Sequence, residues 1–60
     1  MSNYETIKQA LLDAGFHLSD VDKFLEFVRQ DYDLNRLVER DPHKAISRLI
    51  EILSIAKGKP

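Results

Sequence analysis

The sequence predicts an all-α fold: a compact bundle of three main helices plus one short helix. Three observations carry this. Apolar residues recur at helical spacing through the chain and never alternate over a useful length. The helix boundaries are marked by capping residues, Ser2, Ser19, Asp33 and Asp41 at the starts and Gly15 and Gly58 at the ends. The chain has 60 residues, room for one domain.

The first helix is expected over residues 3–14. Ser2 followed by Glu5 forms a capping box, in which each side chain can satisfy a free amide of the first turn. Ile7, Leu11 and Ala14 form its apolar stripe, with Tyr4 and Ala10 on the flanks. Gly15 stands where a left-handed residue closes a helix, and Phe16 can fold back on the last turn.

The second helix is expected over residues 20–31, capped by Ser19, with Asp20 and Asp22 favoured at the positive end of the helix dipole. Val21, Phe24, Leu25, Val28 and Tyr32 form one stripe with Phe27 at its edge, and Lys23, Glu26 and Gln30 lie opposite. One helix running through to Arg40 would put Leu34, Leu37 and Val38 on the face opposite Val21 and Val28. The chain is therefore expected to break near residues 31–33. Asp33 is expected to cap a short third helix over 34–40.

The fourth helix has the clearest start. Asp41 is a cap, and Pro42 takes the first helical position, where its missing amide costs nothing. The helix is expected over 42–57, stopped by Gly58 and Pro60. Ala45, Ile46, Leu49, Ile50, Ile52, Leu53 and Ala56 spread over a wide arc, and Ile55 falls among Lys44, Arg48 and Glu51. The expected core is Ile7, Leu11, Ala14, Phe16, Val21, Phe24, Leu25, Val28, Leu34, Leu37, Val38, Ile46, Leu49, Ile50 and Leu53.

Composition narrows the function classes. Hydrophobic residues make up 43% and charged residues 32%, too apolar for a disordered chain of this charge. There is no cysteine, so disulfides and thiolate metal sites are excluded. The apolar runs are two or three residues long, far below the ~20 needed to span a membrane, and a signal-peptide pattern is lacking. A cytoplasmic chain with no membrane association is expected.

No catalytic pattern is present. His17 and His43 are far apart, and Ser19, Ser47 and Ser54 lie in no nucleophile motif. The two glycines form no phosphate-binding loop, and Asp31 with Asp33 does not match a calcium loop. No enzymatic activity, cofactor, metal or small-molecule substrate is expected.

Binding is the remaining class. A small core gains from association, and a protein partner or a second copy in a homodimer is the leading reading. Phe27, Ile52, Ile55 and Leu12 are the candidate contacts, because they flank or exceed the stripes of their helices. Charge is polarised: residues 19–33 carry −3 and residues 34–60 carry +3. Nucleic-acid binding is the alternative, through Arg40, Lys44 and Arg48 at four-residue spacing, extended by Arg36. A helix-turn-helix built on Gly15 is disfavoured, because its recognition helix would carry Asp20, Asp22 and Glu26 toward phosphates.

Residues 7–39 also resemble the ubiquitin-associated domain family. The resemblance rests on Leu11, the pair Gly15-Phe16, the stripe Val21, Phe24, Leu25, and the segment Asp33-Leu34-Asn35-Arg36-Leu37-Val38-Glu39. It implies a three-helix core, with Ala14, Gly15 and Phe16 and the end of the third helix as a ubiquitin-contact surface.

Overall fold

The computed structural model describes residues 2–57. Four helices follow one another: α1 (Asn3–Asp13), α2 (Leu18–Gln30), α3 (Tyr32–Arg40) and α4 (Pro42–Ala56). No strand occurs among the described residues, and none of their helices is long and apolar enough to cross a membrane. The expected stops at Gly58 and Pro60 lie outside the described residues.

Each boundary has a local cause. At the start of α1 the Ser2 hydroxyl accepts from the Glu5 amide at 3.3 Å. At its end the chain closes in a double hydrogen bond. The Gly15 amide donates to the Leu12 carbonyl at 3.0 Å and the Phe16 amide to the Leu11 carbonyl at 3.3 Å. This pairing is the Schellman closure, and it needs the left-handed backbone that Gly15 adopts at φ 104°. A Cβ at Gly15 would meet no heavy atom within 4 Å, so a substitution there is opposed by the backbone alone. Gly15→Val is expected to cost about 1–2 kcal/mol, and Gly15→Asn less, because Asn tolerates left-handed angles. Thermal melts of both variants check this, and a Val variant as stable as the parent would refute it.

Two expected caps are corrected. α2 starts at Leu18, after an extended His17 whose side chain makes no cap bond. Ser19 therefore lies inside the first turn. The Schellman closure seats Phe16 on the core, and one extended residue suffices to re-enter a helix. α3 starts at Tyr32, because Asp31 and not Asp33 is the cap: Asp31 Oδ1 accepts from the Leu34 amide at 3.0 Å. The short helix is thus two residues longer than expected.

Asp31 and Asp41 are each a one-residue corner between helices. Asp31 ends α2 and opens α3, and Asp41 ends α3 and opens α4, where its Oδ1 accepts from the Lys44 amide at 3.1 Å. The second corner creates a deficit. The Val38 carbonyl would accept from residue 42 in a continuing helix, but Pro42 has no N–H. The Asn3 side-chain amide fills that role, donating to the Val38 carbonyl at 2.9 Å. The first residue of α1 thereby ties off the end of α3.

The core gathers residues from all four helices. Ile7, Leu11, Val21, Val28, Val38, Ala45 and Leu49 are fully buried, and Tyr4, Leu25 and Leu53 nearly so. Phe16, Phe24, Leu34, Leu37, Ile46 and Ile50 pack on this cluster while partly buried. Three assignments change. Ala14, expected inside, is exposed, because it is the C-cap residue where the chain turns away. Tyr4, expected on a flank, is buried. Tyr32, expected on the α2 stripe, is 71% exposed, since the Asp31 corner places it on the outer side of α3.

Candidate interaction face

Tyr4 fixes how the helices are arranged. Its hydroxyl donates to Asn35 Oδ1 at 2.6 Å, joining α1 to α3. The Arg29 guanidinium lies over its ring, 4.0 Å from the centroid, joining α2 to α1. Burial pushes the Tyr4 phenol above its ordinary pKa, with the Arg29 charge opposing the shift. Lys8 pairs with Asp22 at 3.2 Å on the same side of α2.

These contacts define two sides of the bundle. Arg29 and Asp22 mark the side of α2 that faces α1. At about 100° per residue, Phe24 and Phe27 lie on the other side of the buried stripe Val21, Leu25, Val28. On α4, Ile46 borders a cleft with Gln9, Ala10 and Asp13 of α1. Arg48, Ile52 and Ile55 lie across the stripe Ala45, Leu49, Leu53 from it. Lys57 reaches Asp20 at 3.3 Å, which sets the end of α4 beside the start of α2. α3 packs against α2 and α4 and meets the start of α1 through Asn3 and Tyr4.

The outer surface of α3 is flanked by Phe27 of α2 and by Arg48 of α4, whereas Ile55 lies two residues before Lys57, at the end of α4 beside the start of α2. Tyr32, Arg36 and Arg40 run along the centre of that α3 surface at four-residue spacing. Arg36 donates to the Tyr32 hydroxyl, with its guanidinium 5.6 Å from that ring's centroid. Phe27 is 55% exposed and stacks near Phe24, their centroids 6.3 Å apart; Ile55 is 75% exposed. Among the described residues the exposed large hydrophobics are Leu18, Phe27, Tyr32 and Ile55.

The candidate residues divide accordingly. Arg36, Arg40, Lys44 and Arg48 are all exposed, and none forms an ion pair among the described residues. Phe27 and Ile55 are exposed as well. Ile52 and Leu12 do not stand free: both pack against the core, and Leu12 belongs to α1. Ala14 and Gly15 are exposed, while Phe16 packs inward after serving the helix closure. Tyr32 was missed as a surface residue. The signal for it was Asp31, an equally good cap one residue before it.

His17 and His43 are exposed, and no three metal-ligating side chains cluster among the described residues. No protein-family model, curated protein or solved structure matches the chain.

Proposed function

We propose that this chain is a non-catalytic protein-interaction module that binds through the α3-side face. The observation that carries the reading is that Phe27 and Tyr32, each more than half exposed, stand on either side of the Asp31 corner beside the exposed arginines of α3. Aromatic side chains and arginine are the types enriched at protein interfaces and at their energetic centres. A solvated surface has no need to place them together. A helix with this much apolar side chain outside the core gains by covering it.

Site-directed photo-crosslinking tests the reading. A photoreactive residue at position 27 or 32 should trap one defined partner in cells that make the chain. The same probe at Gln9, exposed on α1, should not. Equal labelling from all three positions, or none from positions 27 and 32, would count against an interaction face. A second copy of the chain trapped from positions 27 and 32 would make the module a homodimer.

A further inference from the structure

No further inference is drawn: the strongest candidate, the surface patch of Phe27 and Tyr32 on either side of the Asp31 corner, belongs to the interaction site already described, and nothing in the structure shows what covers it.

Discussion

Tyr4→Ala is expected to leave the chain largely unfolded at room temperature. Loss of a buried aromatic side chain costs about 3–5 kcal/mol. A domain of this length has roughly 3–9 kcal/mol of stability in total. The Tyr4 ring is 6% exposed and lies where α1, α2 and α3 meet. Its removal therefore opens a cavity and also releases Arg29 and Asn35. Tyr4→Phe keeps the ring and loses only the hydrogen bond to Asn35. That bond is partly exposed, so water can replace it, and a loss of about 1 kcal/mol is expected, or roughly 4–8 °C in melting temperature. Denaturant melts of the two variants should differ accordingly. An Ala variant as stable as the Phe variant would show that the ring does not hold the helices together.

The same residue sets an alkaline limit. Its phenol is raised in the folded state, so the neutral form is the one the fold favours. That contribution is fully present below the unfolded pKa of about 10 and is lost as pH rises through the raised folded value. The parent should lose stability in that range, and Tyr4→Phe should lose less over the same interval.

Much of the fold was legible because its signals are local. Asp41-Pro42 opens a helix by the chemistry of two adjacent residues, and Gly15 closes one by its own backbone freedom. The misreadings share another cause. Asp31 and Asp33 are equally good caps taken alone. Only the packing of Leu34 and Val38 against the core selects Asp31, and that choice turns Tyr32 outward. Ser19 is the better capping side chain, yet His17 holds the position because Phe16 is pinned by the closure of α1. The Tyr4 clasp depends on Asn35, 31 residues away, and nothing near Tyr4 announces it.

The site divides in the same way. Phe27 and Ile55 were legible as surplus hydrophobes because they fall outside the stripes of their own helices. The side of its helix's buried stripe on which each one falls relative to α1 was not. It follows from the side of α2 and α4 on which α1 lies, and that is set by Arg29 over Tyr4, by Lys8 with Asp22 and by Ile46 beside α1. Leu12 shows the converse. It also lies off its stripe, but it packs partly buried against the core.

Phe27→Glu and Ile55→Glu should separate binding from folding. Both side chains are mostly in water, where substitutions usually change stability by no more than about 0.5 kcal/mol. At position 55 two small effects oppose each other. Glu has a higher helix propensity than Ile, while the new carboxylate stands one turn from Glu51. Melting temperatures should therefore stay close to the parent. The affinity of Phe27→Glu should not. Charge placed on an apolar anchor at the centre of an interface removes about 2 kcal/mol or more, a loss of roughly thirtyfold in affinity for the crosslinked partner. Leu12→Glu provides the contrast, because Leu12 packs on the core: it should lower the melting temperature clearly. A fall in stability for Phe27→Glu or Ile55→Glu comparable to that of Leu12→Glu would make these residues structural. Unchanged stability together with unchanged affinity in Phe27→Glu would mean that the exposed hydrophobes on the α3 side are solvated surface and that binding uses another face.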